Sequence, residues 1–361
     1  MFFSLPQSCK TSQFQLILLI LATCYITLLL SWKYKGLHTS ENLPAIEENS
    51  QAIMRYANVV EVGLHINSFL QFSFNKNEFA IDGIVWFRFP VGTESLETIS
   101  QFTLKNSLIQ QNGDVIYKSP PIVRLAGDHV SVAFHIQTLF RTDLNYRLFP
   151  IGDHKLNLIL QNRSVTPQEL VFVSKHENFD LSEGILVSNW TPLKTEVKSG
   201  YLNASINPND ASMDISYPCV IFSIDFQNSG MRDLISLYFP MFVLFIIGLF
   251  SFAINIVDVN RLLIIATSLP ILVLFRMVID ALSPAVGYTT HIDFVYYLLV
   301  FLSLLILFFQ AYVVLSVQRA DKKTEVEQLH MKRTLENANE LMYISILALL
   351  VILMTYNHFA V

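Results

Sequence analysis

Residues 261–293 read RLLIIATSLPILVLFRMVIDALSPAVGYTTHID, and this stretch decides the fold class of the C-terminal part of the chain. Leu262–Ile279 is an apolar run of the length that an α-helix needs to cross about 30 Å of hydrocarbon. Leu282-Ser283-Pro284 and the residues up to Asp293 follow this run. A second apolar run begins at Phe294. The stretch therefore predicts two membrane helices joined by a short linker.

The apolar character extends on both sides of this stretch. The 361 residues are 52% hydrophobic with a mean hydropathy of +0.45, which is too apolar for an ordinary water-soluble protein. We predict a transmembrane pore domain over residues 234–361. Its four helices are expected at 235–257, 261–281, 292–318 and 338–357.

A further apolar run, Phe14–Leu30, lies near the N-terminus. It resembles both the core of a signal peptide and a membrane anchor. The aromatic and basic residues that follow, from Ser31 to Lys35, contain no small-residue cleavage site and favour an uncleaved anchor. We assign residues 1–35 to this signal or anchor segment and residues 36–54 to a linker.

Basic residues are concentrated between the third and fourth helices of the pore domain, in the segment 319–337. Loops rich in lysine and arginine stay in the cytoplasm. We therefore expect a cytoplasmic loop over 319–337, with the large domain outside. This topology predicts a multi-pass protein of the plasma (inner) membrane.

Residues 55–233 have the mixed composition of a water-soluble fold, with period-two alternation and frequent turn residues. Many short strands in one stretch predict a β-sandwich. The residues Asn75-Lys76-Asn77-Glu78 are the expected hairpin turn. The expected strands are Val59–Asn67, Phe79–Arg88, Thr98–Leu104, Asp114–Lys118, Val130–Thr138, Lys155–Leu160, Leu170–Val173, Trp190–Val197 and Asp214–Phe226.

Charge and motif content exclude several classes of protein. The net charge of −5 offers no basic face for nucleic acid. Cys219 is the only cysteine in 55–233, so no disulfide can form within that domain. The histidines are scattered and no serine has the context of a nucleophile. We expect no metal, no cofactor and no enzymatic activity.

Three local motifs resemble the pentameric ligand-gated ion channels, also called Cys-loop receptors. Residues 142–156 are similar to the signature loop of that family, with Thr142 and Leu156 where animal receptors have cysteines, as in prokaryotic members. Arg232 is similar to the basic residue that precedes the first pore-domain helix. Residues 261–293 are similar, without a gap, to the second helix, linker and third-helix start of bacterial members.

The resemblance implies an architecture and a function. An immunoglobulin-like, extracytoplasmic β-sandwich would bind the ligand, and a four-helix transmembrane bundle would form the pore. Five copies would assemble as a homopentamer in the lipid bilayer, with ions passing along the five-fold axis. The ligand, a small molecule or protons, would bind between adjacent outer domains.

Residues at helical spacing along the second pore-domain helix share one face. By resemblance the pore-lining residues are Leu263, Thr267, Pro270, Leu274, Met277 and Ala281. Only Thr267 carries a hydroxyl, so the closed path is expected to exclude ions by dewetting of a hydrophobic constriction. Pro270 departs from the family pattern and is expected to free a carbonyl and bend the helix.

The charged residues of this region bear on ion selectivity. Asp258 and Asp280 are the acidic residues expected at the ends of the pore, and they favour cations. Asn260 stands where bacterial cation-selective members have an acidic residue. Arg276 lies four residues before Asp280, and we expect it to pair with Asp280 or with a neighbouring subunit.

The resemblance also suggests coupling residues between ligand and gate: Asn75, Lys76, Phe149, Pro150, Arg232, Pro284 and Tyr288. For the ligand site, Arg163 replaces a common tryptophan, which argues against a cage for cationic amines and for an anionic or polar ligand. The other candidates are Tyr201, Arg88 and Trp86, for which a core role is the alternative.

Two other functions remain open on the sequence. A non-conducting membrane sensor would keep this architecture, as Pro270 and the apolar helix suggest. A membrane-anchored enzyme with an outward β-domain is the second alternative.

Overall fold

The computed structural model describes residues 12–35, 41, 45–49, 54–73, 76–105, 107, 117–142, 144–185, 187, 190–204, 214–320 and 324–360. The chain forms two compact units. The strand unit comprises His38–Asn145 and Asp153–Ser229, and the helical unit comprises Met1–Leu37, Tyr146–Gly152 and Gly230–Val361.

The strand unit contains two sheets. Its strands are β1 (Glu47–Glu48), β2 (Asn58–Ser73), β3 (Glu78–Pro90), β4 (Phe102–Leu104), β5 (Tyr117–Lys118), β6 (Ile122–Ala126), β7 (His129–Arg141), β8 (His154–Asn162), β9 (Leu170–Val173), β10 (Phe179–Leu181), β11 (Trp190–Ala204) and β12 (Ile215–Asn228). The five-stranded sheet has the order β1-β11-β12-β8-β4. The seven-stranded sheet has the order β10-β2-β3-β7-β5, with β9 also pairing with β2 and β6 with β7.

Alternating burial along the strands explains why these residues form sheets. In β7 every second side chain from Val132 to Phe140 is buried, which matches the period of two of a strand. Aromatic side chains of the two sheets contact each other. Their ring centroids are 5.7 Å apart for Phe69 and Phe226 and 5.1 Å apart for Phe87 and Phe102. This buried apolar surface stabilises the strand unit.

Most of the helical unit is apolar helix. Its helices are α1 (Ser12–Lys35), α3 (Met231–Leu249), α4 (Asn260–Leu274), α5 (Arg276–Leu282), α6 (His291–Ala320) and α7 (Glu325–Ala360), while the short α2 (Leu96–Ser100) belongs to the strand unit. The spans Gln13–Trp32, Leu234–Phe252, Asn260–Leu282, His291–Ala320 and Glu325–Phe359 are each long and apolar enough to cross a membrane. Five such spans indicate a membrane protein.

The expected loop at 319–337 is wrong over most of its length. Helix α6 continues to Ala320 and α7 begins at Glu325, so residues 325–337 are helical. The Glu327 carboxylate accepts a hydrogen bond from the Thr324 backbone N–H at 3.4 Å, as in a capping box. This polar helical extension has no apolar run, so a search for apolar segments could not detect it.

Three other boundaries differ from the prediction. The expected linker 36–54 contains a strand, because Glu47–Glu48 pairs with β11. The expected strand Thr98–Leu104 begins with helix α2, since the Ser95 hydroxyl accepts from the Thr98 N–H and caps that helix. Within 55–233, residues 146–152 group with the helices. The expected strand Asp114–Lys118 appears only as Tyr117–Lys118, and its other residues lie outside the described part of the chain.

Candidate functional site

Helices α4 and α5 together present one exposed face and one buried face. Ile265, Leu272 and Ile279, seven residues apart, are buried against the other helices of the unit. All of the residues predicted to line a pore are exposed, namely Leu263, Thr267, Pro270, Leu274, Met277 and Ala281. The exposed surface is wider than this stripe, since Ile271 and Val273 are exposed as well.

The stripe is apolar in its chemistry. The Thr267 hydroxyl, its only polar side chain, donates back to the carbonyls of Leu263 and Ile264, at 3.0 and 2.9 Å. The next residue, Ser268, is buried. Two adjacent hydroxyl side chains therefore lie on opposite sides of the boundary between exposed surface and protein interior.

The expected effect of Pro270 on the helix is only partly visible. Helix α4 runs through Pro270 without ending and stops at Leu274, and α5 starts after Phe275. The Tyr296 hydroxyl of α6 donates to the Val273 carbonyl at 3.1 Å, close to this interruption. A side chain from a neighbouring helix thus satisfies a backbone group where the helix is irregular.

Arg276 holds two carboxylates at the start of α5. Its Nη2 lies 2.8 Å from Asp280 Oδ1, which confirms the predicted pair within one chain. Its Nη1 lies 2.5 Å from Asp293 Oδ1, a contact that the sequence did not reveal. The other oxygen of Asp293 accepts hydrogen bonds from the backbone N–H and the hydroxyl of Thr290 at 2.7 and 2.8 Å. This network forms one wall of a cavity of about 560 Å³ under the linker that contains Tyr288.

At the opposite end of α4, one acidic residue is exposed and one basic residue is buried. Asp258 is exposed and its Oδ1 accepts from the Asn260 N–H at 2.9 Å, at the helix N-terminus. Arg261 is fully buried and donates to the Asn339 side chain of α7. Asn339 in turn donates to the Phe252 carbonyl at 3.0 Å. Sequence reasoning gave Arg261 no such role.

The signature loop is hydrogen-bonded to the linker and to the start of α6. The backbone N–H of Tyr146 donates to the Tyr288 hydroxyl at 2.8 Å, and the N–H of His291 donates to the Arg147 carbonyl at 2.8 Å. The N–H of Ile292 donates to the Phe149 carbonyl at 3.3 Å. Two of the predicted coupling elements, this loop and the linker, are therefore in direct contact.

The other predicted coupling residues lie in separate segments of the chain. Pro150 and Pro284 are buried, and Arg232 is exposed near the start of α3. Lys76 lies in a turn of the strand unit between β2 and β3. Asn75 lies outside the described residues.

The predicted ligand residues lie on different sheets. Trp86 and Arg88 are on β3, and the Trp86 ring covers Gly63, where a Cβ would come within 2.1 Å of the ring. Tyr201 is on β11, and its hydroxyl donates to Glu47 at 2.6 Å, which raises the pKa of Tyr201. Arg163 follows β8 and lies against Gln161, whose oxygen can accept from its Nε at 2.7 Å. These four residues do not form one site within a chain.

A polar cluster on the seven-stranded sheet was not predicted. His135 Nε2 lies 2.6 Å from Asp82 Oδ1, and Asn67 and Gln137 also donate to this carboxylate. Burial alone would raise the pKa of Asp82, but these donors lower it overall. Separately, burial lowers the pKa of Lys118 on β5 to about 8, where its Nζ lies 3.7 Å from the centroid of the Phe102 ring. The four residues of the cluster, Asp82 and its three partners, come from three strands, so the sequence gave no local signal for it.

Neither a protein-family profile nor a curated protein sequence matches this chain significantly. In the described part of the chain, no group of three or more His, Cys, Asp or Glu side chains is arranged to hold a metal ion.

Proposed function

We propose that this chain is one subunit of a homopentameric ligand-gated ion channel of prokaryotic type. In this proposal the two sheets of the strand unit form an immunoglobulin-like β-sandwich outside the membrane. Helices α3 to α7 form the transmembrane bundle, and the α4–α5 segment of each subunit contributes one fifth of the pore.

The exposed apolar stripe on α4–α5 carries this proposal. Leu263, Leu274 and Met277 are 59%, 64% and 72% exposed in the single chain, so this face is free to contact lipid or neighbouring subunits. Residues that repeat at helical spacing on one exposed face support a role in an assembly around an axis. Leu274 and Met277 would then form the hydrophobic constriction that closes the pore by dewetting.

Charges at the two ends of the stripe bear on ion selectivity. Asp258 is exposed and would attract cations at the inner end. Asp280 is bound by Arg276, so its charge is partly neutralised in this state. We therefore assign the cation preference mainly to Asp258.

Contacts of the signature loop support a route from ligand to gate. Residues 146–152 group with the helices, although strands β7 and β8 on either side in the chain belong to the strand unit. A displacement of these strands would pass through the chain to the loop and, through Tyr146 and Tyr288, to the linker that follows α5. A ligand drives such a change only by binding the two states differently.

Two neighbouring residues provide the test. Thr267→Cys and Ser268→Cys each place a thiol on α4, one on the exposed stripe and one in the interior. The protein is reconstituted in planar bilayers and treated with a charged thiol reagent, which does not enter lipid. If the stripe lines a pore, Thr267→Cys is modified and its current falls, while Ser268→Cys stays unmodified. If Thr267→Cys is modified in neither the open nor the closed condition, like Ser268→Cys, the proposal is contradicted.

The non-conducting sensor remains the second candidate. It is favoured by the apolar chemistry of the stripe, in which the Thr267 hydroxyl donates into its own helix and leaves only its oxygen lone pairs for ions or water. Pentamers that bind ligand but pass no current in the same bilayers would support this alternative.

A further inference from the structure

A cavity of about 670 Å³ lies within the helical unit, between α1, α3 and α7. This volume falls in the range of small-molecule and cofactor sites. All of its lining residues belong to spans that are long and apolar enough to cross a membrane. A further, smaller cavity of about 270 Å³ continues along the same helices beyond Leu19.

The chemistry of the lining fits a hydrocarbon occupant. Its polar side chains are Thr23, Thr27 and Ser31 of α1 and Tyr238 of α3. The Thr23 hydroxyl donates to the Leu19 carbonyl at 3.0 Å, and the Thr27 hydroxyl donates to the Thr23 carbonyl at 2.8 Å. The Tyr238 hydroxyl lies 2.6 Å from His291 Nδ1. These three hydroxyls are therefore satisfied within the protein, and the interior of the cavity is apolar.

The length of the cavity matches one leaflet of a bilayer. Its lining on α1 extends from Leu19 to Ser31, which corresponds to about 18 Å at the rise of an α-helix. On α3 it extends over the same number of residues, from Leu234 to Ile246. Half of the hydrocarbon core of a membrane is about 15 Å thick. An apolar space of this length fits an extended acyl chain.

One basic residue, Arg232, lies near one end of the cavity. The smaller cavity joins the start of α1 to the end of α3, so the two helices run in opposite directions and Ser31 lies at the same end as Leu234. Arg232 is exposed and lies three residues before Ile235, on the lining face of α3. Helix α1 ends at Lys35, one turn beyond Ser31.

We propose that this cavity binds one acyl chain of an anionic phospholipid, with the phosphate headgroup at the end marked by Arg232. The acyl chain would fill the space between α1 and the α3–α7 pair. It would thereby stabilise the packing of the N-terminal helix against the rest of the helical unit. This site requires that α1 is retained in the membrane, and it does not depend on ion conduction.

The test uses phosphatidylglycerol with a photoactivatable group on one acyl chain, in vesicles that contain the full-length protein. The matched variants are Thr27→Trp, which fills the cavity, and Leu28→Trp, which adds the same side chain on α1 outside the cavity. Peptide mapping should find cross-links on α1, α3 and α7. Excluding two methylene groups lowers affinity about tenfold, so Thr27→Trp should lose most of these cross-links while Leu28→Trp keeps them.

Further variants keep the result interpretable. Ile235→Trp fills the same cavity from α3, and should reproduce the loss if Thr27→Trp does not fold. Arg232→Gln should reduce the preference for phosphatidylglycerol over phosphatidylcholine, whereas Arg333→Gln, on the exposed surface of α7, should not. Unchanged cross-links in both cavity-filling variants, Thr27→Trp and Ile235→Trp, would overturn the acyl-chain site. Equal binding of the two lipids to the unaltered protein would overturn the assignment of an anionic headgroup.

Discussion

Replacing Asp293 by asparagine should destabilise the helical unit far more than the same replacement at Asp280. Both carboxylates bind the Arg276 guanidinium, at 2.5 Å and 2.8 Å respectively. The Asp293 side chain is only 11% exposed, whereas that of Asp280 is 57% exposed. Each variant therefore removes one carboxylate charge from Arg276, in one case at a buried position and in the other at an exposed one.

The magnitudes follow from burial. Removing one partner of a fully buried ion pair costs about 3–5 kcal/mol. Arg276 is 32% exposed and keeps Asp280 as a partner, so we expect about 2 kcal/mol for Asp293→Asn. An exposed pair four residues apart on a helix contributes about 0.3–0.5 kcal/mol, and this is the expected cost of Asp280→Asn. Asp293→Asn also places an amide N–H toward either Arg276 or Thr290, both of which are donors.

Thermal unfolding of the detergent-solubilised protein measures the difference. At about 2–4 °C per kcal/mol, Asp293→Asn should lower the Tm by about 4–8 °C and Asp280→Asn by less than about 2 °C. The double variant should lose more than the sum of the two losses, because each single variant leaves Arg276 one carboxylate partner and the double variant leaves it neither. Equal shifts for the two single variants, or a larger shift for Asp280→Asn, would refute the assignment of Asp293 as the main partner of Arg276.

Three further predictions concern the strand unit. Burial lowers the pKa of Lys118 to about 8, so the unfolded chain binds more protons than the folded chain between that pH and about 10.4. The free energy of unfolding, followed by tryptophan fluorescence, should therefore rise with pH over this window. Lys118→Met should abolish the rise. Hydrogen bonds from Lys194 and Lys155 lower the pKa of Glu196 to about 2. The stability that this carboxylate contributes is therefore present above about pH 4.5 and is lost as the pH falls toward 2. Glu196→Gln should flatten that part of the plot of unfolding free energy against pH. Gly63→Ala places a Cβ 2.1 Å from the Trp86 ring and should cost about 1–3 kcal/mol of unfolding free energy, whereas Gly287→Ala, with nothing within 4 Å, should leave the Tm unchanged.

The strands were predictable because their pattern is local. The expected strand Phe79–Arg88 lies within β3 and the expected strand Lys155–Leu160 lies within β8, since alternating apolar side chains report directly which face is buried. The pair between Arg276 and Asp280 was predictable for the same reason, because residues four apart on a helix are neighbours.

Contacts between distant parts of the chain were not predictable. Asp293 lies 17 residues after Arg276, and the two meet only because α6 packs beside α5. The Asp82 cluster likewise depends on the register between β2, β3 and β7, which places Asp82 next to Gln137. The helical extension at 325–337 was missed because a helix outside the apolar run carries no hydrophobic signal of its own.

The central claim is that the exposed face of α4–α5 surrounds a common axis in an assembly of five chains. A three-dimensional electron-microscopy reconstruction of the detergent-solubilised protein tests this most directly. We expect a five-fold ring in which Thr267 and Leu274 of every subunit face the axis. A monomer, a ring of another symmetry, or a pentamer in which these side chains face the detergent belt would contradict the account.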